Sequence, residues 1–189
     1  MTPLRAAKRI YQLRDETIRD NRKAIPMNSD DGCEINIRLA TVADSRLVSD
    51  FVSTLTRKYI ADSLEEGGLA TLLSSMGEEE TRERLLGEYR FFIAKQNEKV
   101  VGITAIKLPT HLYYLFVDSG KQRQGIGKRL FGHVVNWILA RGGETITVNA
   151  SINAIGAYRN FGFLPQGEIQ NVDGVRFQPM TWQQKRPLN

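Results

Sequence analysis

The sequence predicts an α/β fold, with a mixed α+β sheet that carries helices on both faces. Residues 90–108 hold two runs rich in β-branched and aromatic side chains around a Gln-Asn-Glu-Lys turn, which is typical of a hairpin. Residues 112–149 read instead as strand, helix and strand, and residues 44–59 and 128–140 carry apolar side chains at helical spacing. A hairpin-rich half joined to a strand-helix-strand half favours one sheet covered by helices.

Composition limits the class of protein. Hydrophobic residues make up 41% and charged residues 25% of the 189 residues, which is enough apolar material for one well-buried domain. The sequence shows neither a bilayer-length apolar stretch nor a signal-peptide pattern, so we expect a cytoplasmic protein. Cys33 is the single cysteine and cannot form an internal disulfide. Because no CxxC or His/Cys cluster is present, we expect no metal site.

Positive charge is concentrated in the first residues. The chain carries a formal charge of +5, and residues 1–24 contribute +4 of it, from seven cations and three carboxylates. Apolar residues recur there near helical spacing: Leu4, Ala7, Ile10, Tyr11, Leu13 and Ile18. We predict a basic helical extension over residues 1–25 that packs on the domain or on a second subunit. We expect its cations to form a solvated helix face rather than a binding surface for nucleic acid or acidic lipid. Its acidic residues argue against a transit peptide.

Turn-forming residues separate this extension from the rest of the chain. Residues 26–33 read as a linker, residues 34–184 as the domain and residues 185–189 as a tail. The division predicts one folded unit preceded by a charged segment.

Each element of the domain has its own pattern. Residues 34–39 alternate as a first strand, and Thr41 or Asp44 can cap the helix that follows. A less regular helical region spans residues 62–88, where glycines mark breaks. After the hairpin we predict strand 112–117, helix 128–140, strand 145–149, a helix carrying Tyr158, and closing strands at Phe163 and at residues 177–182.

A basic turn punctuated by glycines connects strand 112–117 to the next helix. Its sequence is Lys121-Gln122-Arg123-Gln124-Gly125-Ile126-Gly127-Lys128-Arg129. Glycine lets a ligand approach the backbone, and the first turn of a helix offers N–H groups without intrahelical partners. Those donors, the helix dipole and the cations predict a site for a pyrophosphate group.

Two familiar phosphate motifs do not fit this turn. A Walker A loop starting at Gly120 would need lysine where the chain has Ile126. A dinucleotide fingerprint starting at Gly125 would need glycine where the chain has Leu130. The pattern that fits is Gln/Arg-x-x-Gly-x-Gly/Ala, at residues 122–127.

A second segment strengthens this assignment. Residues 148–163 read as a strand, a short helix that carries Tyr158, and a Gly-Phe pair that starts the next strand. In this order, and with one helix between them, the two segments resemble the GNAT superfamily of acyl-CoA-dependent N-acyltransferases. The resemblance covers the chain from about Ile35 to Trp182.

The resemblance implies a central, mostly antiparallel sheet whose middle strands splay apart, with acetyl-CoA as co-substrate in the gap. The pantetheine arm would pair with the backbone of Leu115, Phe116 and Val117. The pyrophosphate would lie on Gln122, Arg123, Gln124, Gly125, Ile126, Gly127 and Lys128. An N–H near Leu115 or Val117 would face the thioester oxygen. The alternative is that residues 112–117 form a fully paired buried strand.

The resemblance also implies catalytic side chains. Tyr158 matches the family position of a phenol that protonates the departing thiolate, although a helical tyrosine is ordinarily a core residue. The family often has asparagine seven residues earlier, where this chain has Ser151. Which of Asn149, Ser151 and Asn153 holds the co-substrate is therefore open.

The general base is open as well. Some family members place a glutamate on the strand before the phosphate turn, and His111 occupies the matching position. Its imidazole could accept the proton of the amine or order a water that does so, although a surface histidine at a strand end is an equal alternative. Relayed water and the phenols of Tyr113 or Tyr114 are the competing choices, and His133 is expected to be structural.

The resemblance predicts an acetyltransferase that acts on a small-molecule or peptide amine. Glutamates on the first helices would suit a cationic acceptor: Glu65, Glu66, Glu78, Glu79, Glu80 and Glu83. One alternative is a non-catalytic acyl-CoA-binding module; another is an RNA-directed acetyltransferase recruited through residues 1–24, although we do not expect nucleic acid as a partner. A homodimer is a further expectation.

Overall fold

The computed structural model describes residues 34–59, 68–172 and 174–184. The predictions for residues 1–33 and 185–189, and those for Glu65 and Glu66, lie outside the described residues. The strands are β1 (Ile35–Leu39), β2 (Tyr89–Gln96), β3 (Lys99–Lys107), β4 (His111–Val117), β5 (Thr145–Ser151), β6 (Leu164–Pro165), β7 (Gln170–Val172) and β8 (Val175–Gln183). The α-helices are α1 (Ser45–Tyr59), α2 (Gly68–Ser74), α3 (Glu78–Leu86), α4 (Ile126–Leu139) and α5 (Ile155–Asn160).

All described strands belong to one sheet. Its order is β1-β2-β3-β4-β5-β8-β6, with β7 also paired to β8. Every pairing is antiparallel except that of β4 with β5, which is parallel. Helix α4 connects these two strands. The predicted fold class, a mixed and mostly antiparallel sheet, is confirmed.

The predicted hairpin forms from β2 and β3. Gln96 pairs with Lys99, so only Asn97 and Glu98 lie in the turn, and both adopt positive φ angles of 48° and 60°. Two left-handed residues give the turn a twist that matches its strands. The centre of the hairpin is buried on both faces because helices cover each side.

Helices lie on opposite faces of the sheet. One face packs on α4, where Phe131, Val134 and Ile138 contact strand residues such as Leu112 and Val148. The other face packs on α1: its buried residues Val48 and Val52 join Phe91, Ile93, Ala105 and Tyr114 in a second cluster. The apolar spacing of α1 and α4 therefore predicted their buried sides correctly.

An ion pair joins β1 to the start of α1. The guanidinium of Arg38 donates two hydrogen bonds to the Asp44 carboxylate, at 2.9 and 2.6 Å, and that carboxylate also accepts the Thr41 N–H at 2.8 Å. The hydrogen bonds from Arg38 hold the pKa of Asp44 far below its usual range. Both residues expected to cap this helix therefore take part.

Two sequence predictions need adjustment. Phe163 does not lie in a strand; β6 begins at the next residue, and Phe163 is instead a fully buried core side chain packed on Phe131. The helical region expected over residues 62–88 consists, in its described part, of the separate helices α2 and α3. No described helix is long and apolar enough to span a membrane.

Candidate active site

A β-bulge in β4 sets the geometry of the site. Ala105 of β3 pairs with Tyr114 and the next residue, Ile106, pairs with Leu112, so Tyr113 is an extra residue on β4. A bulge places consecutive side chains on one face and bends its strand. The rings of Tyr113 and Tyr114 accordingly lie 4.4 Å apart and pack in the cluster on the α1 side.

The two middle strands part at this bulge. Strand β4 pairs with β5 only through His111, opposite Thr147, and Leu112, opposite Val148. Beyond the bulge, Leu115 to Val117 pair with β3, and their other edge has no partner among the described strands. The splay implied by the resemblance is confirmed, and the alternative of a fully paired strand is wrong.

Beyond the splayed strands, the glycine-punctuated turn leads into α4. Arg129 is the first residue after Lys121 whose backbone N–H donates to a backbone carbonyl; its acceptor is the Gly125 carbonyl, at 3.0 Å. Within this described loop, the seven N–H groups from Gln122 to Lys128 thus have no backbone partner. They form a cluster of donors at the positive end of α4.

Local conformation explains the residue types in this turn. Arg123 and Gly125 have φ angles of 59° and 81°, in the left-handed region that favours glycine. The Gln122 and Gln124 side chains donate to the carbonyls of Val117 and Gly120, each at 3.3 Å, and so fold the loop back on itself.

The remaining loop positions differ in their surroundings. A Cβ on Gly125 would meet nothing within 4 Å, while one on Gly127 would lie 3.5 Å from Phe161. Ile126 is buried under the sheet, whereas Arg123 and Lys128 are exposed. The loop thus combines backbone donors, exposed cations and open space at Gly125, the features that a pyrophosphate site requires.

Tyr158 lies on α5 within the cluster on the α4 side. Its side chain is 8% exposed and its ring lies 5.4 Å from that of Phe163. Leu115 packs against the same cluster, so the strand edge and Tyr158 border one apolar core on the α4 side of the sheet. Burial raises the pKa of Tyr158 well above its ordinary value, so the group remains protonated at neutral pH.

His111 lies at the closed end of the gap. Its Nδ1 is 2.9 Å from the Thr147 hydroxyl, across the single paired stretch of β4 and β5. Burial, and then the nearby charge of Lys107, lower the pKa of His111. The imidazole is therefore neutral at pH 7 and able to accept a proton. Its position, four residues from Leu115, corresponds to about 13 Å of extended strand.

Three polar residues follow along β5 and past its end. Asn149 and Ser151 alternate with the buried Val148 and Ala150, which places them on the α1 side of the sheet. Asn153 donates from its side chain to the carbonyl of Tyr59 at 3.3 Å, so it joins the segment after β5 to the end of α1. Asn153 thus already has a structural partner, while Asn149 and Ser151 flank the gap.

Thr104 and Arg84 were not among the predicted site residues. Thr104 is fully buried on β3, and its hydroxyl donates to the Tyr114 carbonyl at 2.7 Å. The Arg84 guanidinium lies against a pair of rings in edge contact, 5.8 Å from the centre of Tyr89 and 5.5 Å from that of Tyr113. A polar residue amid the apolar run Val-Val-Gly-Ile-Thr-Ala-Ile was the available signal for Thr104; Arg84 gave none.

Two cavities flank this face of the sheet. One, of about 650 Å³, lies along α1 and reaches the start of the turn, with Phe51, Asp50 and Asp118 in its lining. The other, of about 260 Å³, is lined by Arg84, Tyr89 and three glutamates: Glu80, Glu83 and Glu88. Of the predicted glutamates that the structure describes, Glu80 and Glu83 line this recess, and Glu78 and Glu79 do not. An acidic acceptor site here stays a prediction.

The fold and the gap define a class of acyltransferase domain, and comparison with known families assigns it. The family model described as "Acetyltransferase (GNAT) domain" matches residues 60–184. The chain therefore belongs to the GNAT acetyltransferase family, as the resemblance implied, and the matched region is an acetyltransferase domain.

Individual relatives agree with this assignment. Human N-acetyltransferase 8 is 31% identical over 90 residues, which take in 41% of this chain and 40% of the human protein. The chain thus spans less than half the length of this curated relative.

Solved structures share the fold at low identity. A GCN5-related N-acetyltransferase from Rhodopseudomonas palustris is similar with a TM-score of 0.70 and 21% identity, over 82% of this chain and all of that one. PaiA N-acetyltransferase from Thermoplasma acidophilum, crystallised with coenzyme A, has a TM-score of 0.67 and 15% identity, over 80% and 99% of the two chains.

Proposed function

We propose that this protein transfers an acetyl group from acetyl-CoA to a primary amine by direct attack, without a covalent enzyme intermediate. One observation carries the proposal: the gap between β4 and β5 leads to a loop whose seven backbone N–H groups, from residue 122 to residue 128, have no backbone acceptor among the described residues. A chain of amides ending in a pyrophosphate fits these two features, because strand edges pair with amides and helix N-termini bind phosphates.

The co-substrate would lie along both features. The edge formed by Leu115, Phe116 and Val117 would pair with the amides of the pantetheine arm through the backbones of Leu115 and Val117, which face away from β3. Residues 122–128 would hold the pyrophosphate. Asn149 and Ser151, which flank the gap, would contact the arm. The glutamates around the recess at Arg84 support a small-molecule or peptide amine that carries positive charge.

The reaction would form a C–N bond and break the C–S bond of the thioester. Tyr158 would donate a hydrogen bond, and then its proton, to the sulfur as the C–S bond breaks. His111 would take up the proton of the amine through an ordered water, because it lies too far along β4 for direct contact with an amine at Leu115.

Calorimetric titration with acetyl-CoA tests the proposal. We expect saturable binding by the wild type and its loss in Gly125→Glu, which places a carboxylate in the donor cluster. Gly142→Glu is the matched control: Gly142 has a φ of 80°, and a Cβ there would also meet nothing within 4 Å, but it lies beyond the other end of α4. No binding by the folded wild type would overturn the proposal.

A non-catalytic acyl-CoA-binding module is the alternative, and Tyr158→Phe separates the two. A module that only binds needs no proton donor at the sulfur. We expect turnover to fall by about 100-fold in the variant while acetyl-CoA affinity is kept. If the wild type binds acetyl-CoA but acetylates no amine in a broad screen, the protein is a binding module.

A further inference from the structure

The hydroxyl of Thr104 occupies an unusual position for a core threonine. Its side chain is fully buried on β3, and it donates at 2.7 Å to the backbone carbonyl of Tyr114 on the neighbouring strand. That carbonyl belongs to the bulge, where the pairing of β3 with β4 changes register. A threonine hydroxyl is not required to pair two regular strands, since their backbones already do so.

The hydrogen bond from Thr104 to the Tyr114 carbonyl fixes the direction of the next backbone N–H, that of Leu115. The Tyr114 carbonyl and the Leu115 N–H belong to one planar trans peptide and point in opposite directions. Because Thr104 holds the carbonyl toward β3, the Leu115 N–H points away from β3. On that side β5 has already diverged, so the N–H is directed into the gap.

Packing keeps this peptide from turning. The Tyr114 ring is 7% exposed and lies between Phe91 and Phe116, with ring centres 6.1 and 5.6 Å away. Arg84 contacts the neighbouring ring of Tyr113 and donates to the Ser75 carbonyl, which ties the bulge to α3. The peptide is therefore held from both the backbone and the side-chain end.

We infer that Thr104 is a positioning residue for acetyl transfer, which orients the Leu115 N–H toward the oxygen of the thioester. The inference rests on the proposed function. A donor held in place before the reaction stabilises the oxyanion that forms when an amine attacks, without the cost of reorienting at that moment. Thr104 touches neither substrate and acts only through the peptide.

Steady-state kinetics of Thr104→Val and Thr104→Ser test the catalytic part. Valine keeps the shape of threonine but lacks the hydroxyl, so we expect kcat to fall about tenfold with both KM values changed less than twofold. Serine restores the hydroxyl and should restore kcat. The matched control is Thr56→Val, at another fully buried threonine, whose hydroxyl contacts the Met76 sulfur; its kcat should stay at the wild-type value. Unchanged kcat in Thr104→Val overturns the inference.

Amide exchange tests the orientation without any turnover. We expect the Leu115 amide to exchange at least about 100-fold faster than that of Phe116, whose N–H points back toward β3. Thr104→Val should change the Leu115 amide resonance, and Thr104→Ser should leave it close to the wild-type position. Slow exchange at Leu115 overturns the inference even if acetyl-CoA binds, whereas failure to bind acetyl-CoA with fast exchange counts against the proposed function alone.

Discussion

At the scale of single residues, the two histidines of the chain differ in a way that kinetics can detect. His111 faces Lys107 and Thr147 at the closed end of the gap, and its pKa is lowered. If it is the base, kcat/KM falls as the pH drops through this lowered pKa, since only neutral imidazole accepts a proton. We expect His111→Gln to remove that acidic limb and to reduce kcat/KM at pH 7.5 by about 10- to 100-fold.

The control for this experiment is His133→Gln. His133 lies on α4 with its ring 4.8 Å from Phe92, and burial lowers its pKa as well. It is remote from the gap, so its loss should leave the acidic limb in place. An acidic limb that persists in His111→Gln would assign the base to another group.

Tyr114 carries an unpaired polar atom in the core. Its hydroxyl is buried without a hydrogen bond of regular geometry to any described residue. Burial, and then the neighbouring Tyr113 hydroxyl, raise the pKa of Tyr114 well above its ordinary value. An unsatisfied buried hydroxyl is costly, so Tyr114→Phe should raise the free energy of unfolding by up to about 1 kcal/mol in urea titration. Tyr113→Phe, at a half-buried position, should change it by less than about 0.5 kcal/mol. A loss of stability in Tyr114→Phe would show that the hydroxyl has a partner.

At the scale of elements, the start of α1 depends on Asp44. Its carboxylate accepts hydrogen bonds from Arg38 and from the Thr41 N–H, so we expect Asp44→Asn to lower the free energy of unfolding by about 1–2 kcal/mol at pH 7. The pKa of Asp44 is depressed, so this stability is present above the unfolded pKa of about 4 and is lost as the pH falls toward the folded value. The difference between wild type and variant should shrink below pH 4.

Asp50→Asn on the same helix is the control. Asp50 lies 3.8 Å from Arg46 and both side chains are largely exposed, so the pair is screened by solvent. Its substitution should change stability by less than about 0.5 kcal/mol. Equal losses in the two variants would refute the role assigned to Asp44.

The elements themselves were largely predictable, because each has a local signal. The β2–β3 hairpin follows from a short polar turn between apolar runs, and α1 and α4 from apolar residues at helical spacing. The bulge at Tyr113 has no comparable signal, since it arises from the pairing of β4 with a distant strand. For the same reason the partner of Thr104 could not be predicted: the bond joins residues ten positions apart through the register of two strands.

At the scale of the whole molecule, positive charge is distributed unequally along the chain. Residues 1–24 carry +4 of the +5 net charge, so residues 25–189 carry +1. The family model begins at residue 60, and acetyl transfer is expected to reside in that later part. Electrostatic attraction to a polyanion should depend on the first segment, since binding to phosphates releases counterions in proportion to the cations involved.

Deleting residues 1–24 separates these two properties. We expect acetyl-CoA affinity in calorimetry to stay within twofold of the full chain, because the proposed phosphate loop and the gap lie entirely within residues 111–151. If the intact chain binds a labelled RNA hairpin, the deletion should lower that affinity, measured by fluorescence anisotropy at 50 and 200 mM salt, and should flatten its dependence on salt.

A full-length variant in which the seven cations of residues 1–24 are replaced by glutamine distinguishes the effect of charge from that of the segment itself. The substituted residues are Arg5, Lys8, Arg9, Arg14, Arg19, Arg22 and Lys23. It should match the deletion in RNA affinity if charge alone attracts the nucleic acid. RNA binding that survives both changes would show that RNA contacts the domain. The exposed cations of the phosphate loop, Arg123 and Lys128, are then the candidate contacts. In that case acetyl-CoA should compete with RNA. No measurable RNA binding by the intact chain would exclude an RNA-directed acetyltransferase and leave a small-molecule or peptide amine as the acceptor.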